Sequence, residues 1–293
     1  MRTGRIGRRL LLGGFFLLIP VLLILFPPEP HHCDPAQDII CRPEFVNDLF
    51  ETPTIFSIGG FAVNRAMLLM FLAAFVAIGL LWFAFRRPRV VPTKFGAAME
   101  AVVGFVRDEI AIGIIGPSGA KYLPYLLSIF LFILIGNLFE VTPFINFPIT
   151  SRMAIPAFLS VVTYLIFVIV GFAKNGLGYL GGIVWPKSVP VGLRPLVGLI
   201  EFVSTFLIRP LTLAVRLFAN LVAGHVMLTL LLASGVVFIA HAGDIGARAT
   251  IGIGWFALGM AIFLFEIVVA LLQAYIFTLL SAVYIQTSVH PEH

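Results

Sequence analysis

The run PLVGLIEFVSTFLIRPLTLAVRLFANLVAGHVMLTLLLASGVVFIA, residues 195–240, decides the fold. It is apolar for about 45 residues and is interrupted mainly by Glu201, Arg209, Arg216, Asn220 and His225. A short polar loop with His241, Asp244 and Arg248 follows. A second run, TIGIGWFALGMAIFLFEIVVALLQAYIFTLLSAVYIQT, then fills residues 250–287. As helices at 1.5 Å per residue the two runs would be roughly 65 and 55 Å long. A hydrocarbon core is only about 30 Å thick, and tilts averaging about 20° do not absorb the difference. Either each run folds into two crossings, or each is one helix tilted roughly 60° from the membrane normal. Neither run has a clear turn signal in its middle, so single helices are expected, with Pro210 permitting a kink in the first. Two such helices form a wall rather than a pore, a shape suited to something large sliding past.

The rest of the chain is consistent with a lipid solvent. Of its residues 60% are apolar and 11% charged, with mean hydropathy +1.08, whereas a soluble domain carries roughly a quarter charged residues. The net charge of +5 is therefore no sign of nucleic-acid binding; its placement sets orientation. Arg2, Arg5, Arg8 and Arg9 precede an apolar stretch from Leu10 to Phe26, which fits a signal peptide or a short anchor. The absence of a small-x-small pattern after it favours retention. The loop beyond is acidic, with Asp34, Asp38, Glu44, Asp48 and Glu51 against Arg42. Cys33 and Cys41 lie eight residues apart in it and could form a local disulfide in an oxidising exterior. With His31 and His32 nearby a metal site is conceivable, but a tied or free loop is the simpler reading.

Further crossings follow. Ala66 to Phe85 ends at Arg86-Arg87-Pro88-Arg89, so both basic clusters lie inside and the acidic loop outside. Residues 95–116 mix Glu100, Arg107, Asp108 and Glu109 with Phe95, Val102, Val103, Phe105, Val106 and Ile110, an amphipathic segment lying on the inner surface. Crossings about Tyr122 to Phe144 and Ala154 to Ala173 come next, then an inner loop with Lys187 and Arg194. The expectation is an all-α integral membrane protein of about five to six membrane helices. The last two are long and steeply tilted, and one interfacial amphipathic helix accompanies them. Residues 1–60 hold the N-terminal apolar segment and outer polar loop, and 61–293 the membrane domain.

Charges inside a membrane are costly and mark functional sites. Arg216 is the only charge between Pro210 and Ala219, has no local partner, and cannot lose its proton. Snorkelling to an interface is difficult from the middle of such a run. Asn220 follows at i+4 on the same face, while His225, nine residues on, falls on roughly the opposite side. Glu266 and Gln273 are seven apart and share a face of the second run. Antiparallel pairing would bring Gln273 towards Arg216 and Glu266 towards His225, with some curvature needed for the latter. Asn137 and Glu140 lie near the outer end of the preceding hairpin. If water reaches it, Glu140 joins His225 and Glu266 in a proton path from outside, imidazole and carboxylate being suited to relay near neutral pH.

These residues carry a family signature. Arg209 to Asn220, reading RPLTLAVRLFAN, continues as LVAGH to His225 and resembles the signature of the F-type ATP synthase a subunit. Glu266 with the stretch LQAYIFTLL, residues 272–280, resembles that family's final helix, and GNLFE at residues 136–140 adds to the likeness. Together they cover roughly residues 61–287. The resemblance implies that Arg216 is the essential arginine, Gln273 the glutamine near it, and His225 with Glu266 the pair lining the outer half-channel. Glu201 resembles the acid of the inner half-channel but stands nine residues before Pro210, where the family's pattern has eight, so its facing requires a local bulge. The resemblance also implies a c-subunit ring whose carboxylates pass Arg216, b subunits of a peripheral stalk, the remainder of the ATP synthase complex, and a bacterial plasma membrane.

No P-loop of the form GxxxxGK[ST] is present, so no nucleotide or other cofactor is expected. A secondary transporter would show internal repeats and broken helices, and an intramembrane hydrolase a nucleophile with its base or an HExxH metal motif. The chain offers neither set.

Overall fold

The computed structural model describes residues 40, 54–58, 61–87, 91–142, 149–186, 189–241, 243, 246 and 249–289. The N-terminal apolar segment, His31, His32, Cys33, Cys41 and Lys187 lie outside them.

A short antiparallel hairpin, β1 (Thr54–Ile58) with β2 (Phe61–Asn64), stands where the sequence reading placed a plain polar loop. The elements after it among the described residues are helices. Helix α1 (Arg65–Phe85) buries Ala66, Leu69, Ala73 and Ala77, a stripe at three- and four-residue spacing. Phe71, Phe75, Ile78 and Trp82 are exposed, as befits a helix solvated by lipid on its remaining faces.

Thr93 caps α2 (Lys94–Phe105) by accepting the Gly96 N–H at 3.1 Å. The segment continues as a π-helix, Val106–Ile112, and a last α turn, Gly113–Ile115. Met99, Val106 and Ile110 are buried while Glu100, Arg107, Asp108 and Glu109 are exposed, the expected amphipathic surface element. It ends at Gly116, whose φ of +88° suits a residue without Cβ.

A 3₁₀ turn, Pro117–Tyr122, leads into α3 (Leu123–Leu138), and α4 (Ala154–Asn175) follows. The Tyr125 hydroxyl donates to Thr163 Oγ1 at 2.7 Å, tying these two helices. Helix α5 (Gly178–Val184) lies in the connection between α4 and the helix that follows. Gly171 admits the Tyr179 ring, where a Cβ would meet its Cζ at 2.7 Å.

Helix α6 (Arg194–Val203), a π turn (Ser204–Ile208) and α7 (Arg209–Ala240) form one uninterrupted 47-residue helix. Helix α8 (Ala249–Val289) runs unbroken for 41 residues. The first of the two arrangements considered for these runs, a double crossing, is therefore excluded. In all, five helices among the described residues are long and apolar enough to cross a membrane.

Packing divides the chain into two compact units. One comprises Met1–Arg65, Phe139–Pro148 and Val222–Val268; the other comprises Ala66–Leu138, Ile149–Leu221 and Val269–His293. Within the first, α7 and α8 approach closely through glycines. A Cβ on Gly235 would lie 2.7 Å from the Phe256 backbone nitrogen, and one on Gly259 the same distance from Leu232 Cδ2. Small residues at such a crossing let backbones meet in lipid, where packing rather than water exclusion holds helices together. Within the second, Asn175 Nδ2 donates to the Ser288 carbonyl at 2.9 Å and the Tyr179 hydroxyl meets Ser288 Oγ at 3.1 Å.

Candidate functional site: polar groups within the membrane helices

In the first unit, three ionisable side chains are almost completely buried. Glu140, just past the end of α3, is 2% exposed, His225 on α7 4% and Glu266 on α8 5%. His225 Nδ1 lies 3.3 Å from Glu140 Oε1. Neither atom makes an aligned hydrogen bond among the described residues, so the contact is an ion-pair distance rather than a formed hydrogen bond. The Glu266 carboxylate lies against Gly224, the residue before His225, and fills the space a Cβ there would need. Two carboxyls and an imidazole thus share one buried neighbourhood, and both kinds of group can give up and take up protons.

The sequence reading paired His225 with Glu266 and left Glu140 conditional on water. The geometry makes Glu140 the nearest carboxylate to the imidazole. Glu140 and His225 are 85 residues apart, and no helical period relates them. Gly224 was missed as a site residue; its signal was the small side chain immediately before the histidine.

The second unit holds the other group. Arg216 is exposed and makes no hydrogen bond or ion pair among the described residues. Leu211 and Val215, exposed beside it, make its surroundings apolar. Asn220 and Glu201 are half-buried. Gln273 is buried, its Nε2 without a partner among the described residues, and no hydrogen bond joins it to Arg216. Asn137 is buried and its Oδ1 accepts the Thr150 hydroxyl at 3.2 Å, while its Nδ2 is unpartnered among the described residues.

A second arginine is held differently. Arg209 donates to Thr287 Oγ1 at 3.2 Å and lies 5.3 Å from the centre of the Tyr284 ring. Two arginines one motif apart are thus distinguished: Arg209 is engaged by α8, and Arg216 is left open. No group of three or more His, Cys, Asp or Glu among the described residues is placed to hold a metal ion.

Five membrane-length helices among the described residues, with His225 and Glu266 buried on two of them and an arginine that has no partner among the described residues, define a multi-pass membrane protein with polar groups inside its spans. The family model described as ATP synthase A chain matches residues 67–286. Proteins called ATP synthase subunit a are similar over most of their length. That of Frankia alni is 40% identical over 256 residues, 84% of this chain and 86% of its own. That of Rhodococcus erythropolis is 35% identical over 84% of this chain and 90% of its own. A third, from Pseudarthrobacter chlorophenolicus, is 36% identical over 88% and 97%. The chain belongs to the ATP synthase A chain family.

Proposed function

We propose that this chain is the stationary proton-conducting subunit in the membrane sector of an F-type ATP synthase of a bacterial plasma membrane. In this reading it provides two offset half-channels to a rotating ring of c subunits. The peripheral-stalk b subunits, the rest of the complex and the bilayer are its other partners. ATP chemistry takes place on other chains, and this one binds no nucleotide.

The observation that carries the reading is Arg216, an exposed guanidinium on an apolar face with no partner among the described residues. A permanent cation in a membrane helix is costly unless something answers its charge. A passing ring carboxylate does so. Protons enter past Glu140, Glu266 and His225 and neutralise that carboxylate, which then travels through lipid without the cost of a bare charge. After nearly a full turn it meets an inner path near Glu201 and releases its proton. Arg216 favours the ionised carboxylate between the two paths. Because it neither gives up nor accepts a proton, it also blocks direct leakage. Asn220, Gln273 and Asn137 supply hydrogen bonds along the way. The electrical part of the driving force is about 2.3 kcal/mol per charge per 100 mV.

ATP-driven acidification of inverted membrane vesicles tests this. Arg216→Ala, in complexes assembled to the wild-type level, is expected to abolish acidification. Normal acidification by the assembled variant would overturn the assignment.

A further inference from the structure

The 47-residue helix departs from α geometry at one place, the π turn Ser204–Ile208, where the Arg209 N–H donates to the Ser204 carbonyl five residues back. The neighbouring sequence supplies a cause. Pro210 has no N–H, and a proline ring in an α-helix collides with the carbonyl four residues back, here that of Phe206. A wider turn relieves the crowding. Such a turn holds one residue more than an α turn, so the helix before it is rotated by about 100° relative to an unbroken α-helix.

Burial reports what that rotation achieves. Measured around the axis from Arg216 at about 100° per residue, the buried Leu213, Leu217, Leu221 and Ala214 lie between about +60° and +160°. The exposed Thr212, Ala219, Val215 and Leu211 lie between about −40° and −140°. In α6, Gly198 is buried and Arg194, Val197 and Glu201 are half-buried. On a plain α-helix these four would fall between about 0° and −100°, on the exposed side of α7. With the surplus residue in the π turn Arg194 and Gly198 fall at about +60° and +100°, on its buried side, and Val197 and Glu201 at about 0° and +40°, between Arg216 and that side. Leu196, Leu199, Ile200 and Val203 then lie on or beside the exposed side, whereas Pro195 and Phe202, also exposed, fall at about +160° and +140°, at the edge of the arc that is buried in α7. Gly198, which has no room for a Cβ against the Val184 carbonyl, is thereby turned inward. Glu201 moves from about −60°, the line of Ala219, to about +40°, the line of Asn220.

We propose that the π turn is a register device: it takes up one surplus residue, so that Glu201 shares the line of Asn220 on the covered flank of Arg216. The functional weight of that alignment rests on the proton-path reading above, but the alignment itself does not. A further consequence is that one residue can be removed from Ser204–Ile208 without changing the phase of Glu201, because the turn closes to α geometry. One more residue cannot be added.

The test deletes Leu207, whose side chain is exposed, alone and together with Pro210→Ala, which removes the cause of the wide turn. A third variant inserts one alanine after Leu207. Each is measured for vesicle acidification and, with Glu201→Cys in a chain whose Cys33 and Cys41 are replaced by serine, for labelling by a water-soluble maleimide in the assembled complex. At least one deletion variant is expected to assemble, pump and label like its parent, and the insertion to lose pumping and change its labelling. Failure of both deletion variants to assemble, loss of the parent labelling rate in both, or parent-like behaviour of the insertion overturns the proposal. Normal pumping by Arg216→Ala would instead sink the proton-path reading and leave the labelling pattern as it is.

Discussion

Arg216 and Arg209 show how little a residue type says without its surroundings. Arg209 is engaged by Thr287 and Tyr284, whereas Arg216 is exposed without a partner among the described residues. If Arg216 acts as a cation that never exchanges its proton, Arg216→Lys should fail to pump almost as completely as Arg216→Ala, since an ammonium in an apolar setting can lose its proton. Acidification of inverted vesicles decides it. Gly224 makes a separate prediction. A methyl group there would enter the space of the Glu266 carboxylate, and overpacking of this kind costs about 1–3 kcal/mol. Gly224→Ala is expected to reduce pumping, with partial recovery when Glu266 is shortened to Asp; equal rates in wild type and Gly224→Ala would contradict the geometry. Asp108 marks the opposite extreme. Hydrogen bonds from Arg107 at 2.8 and 3.1 Å hold its carboxyl below the ordinary range. A lowered carboxyl pKa stabilises above the unfolded value and is lost as pH falls through the folded one, below about pH 4. Both groups are exposed, so Asp108→Asn should leave complex yield and pumping unchanged at neutral pH.

Among the elements, the long helices depend on two local devices, a π turn and a glycine crossing. Their length was legible because apolar residues run on past any ordinary membrane thickness without a turn signal. The glycines at residues 235, 252 and 259 could be read as helix weakeners from the sequence. In the structure they are the places where α7 and α8 meet, and Gly252 faces the Phe238 side chain. Gly235→Leu is therefore expected to lower the yield of folded chain, by membrane extraction and gel filtration, whereas Gly254→Leu should not, since nothing lies near its Cβ position. Glu201 is the instructive case between levels. The count of residues to Pro210 left its facing open, and the structure places a π turn, the local bulge that count required, between the two. The hairpin β1–β2 went unforeseen because two short strands inside an acidic loop carry too few alternating residues to stand out.

For the molecule as a whole, charge placement assigns sides. Arg86, Arg87, Lys121, Lys174 and Arg194 stand at ends of spans expected inside, against Arg65 and Arg152 at ends expected outside. Single cysteines at Val91 and Gly246 should then label from the inner and outer faces respectively; labelling of both from one side would reverse a span. Apolar exposure bears on partners. Leu207, Ile208, Leu211 and Val215 leave the surroundings of Arg216 uncovered by the chain itself. This suits a moving apolar neighbour as well as lipid.

By itself the sequence determined the solvent, the extent of the last two apolar runs and the identity of the costly polar residues, and it put the crossings at about five to six. It could do so because hydropathy, helical rise and the cost of a charge in lipid are local or additive properties. Tertiary structure alone decided that His225 lies near Glu140, that Glu266 occupies the space beside Gly224, and that a π turn stands between Glu201 and Pro210. Those facts depend on how separate segments meet and on one extra residue wound into one turn, and a phase that shifts by about 100° per residue is settled only when the packing around it is known.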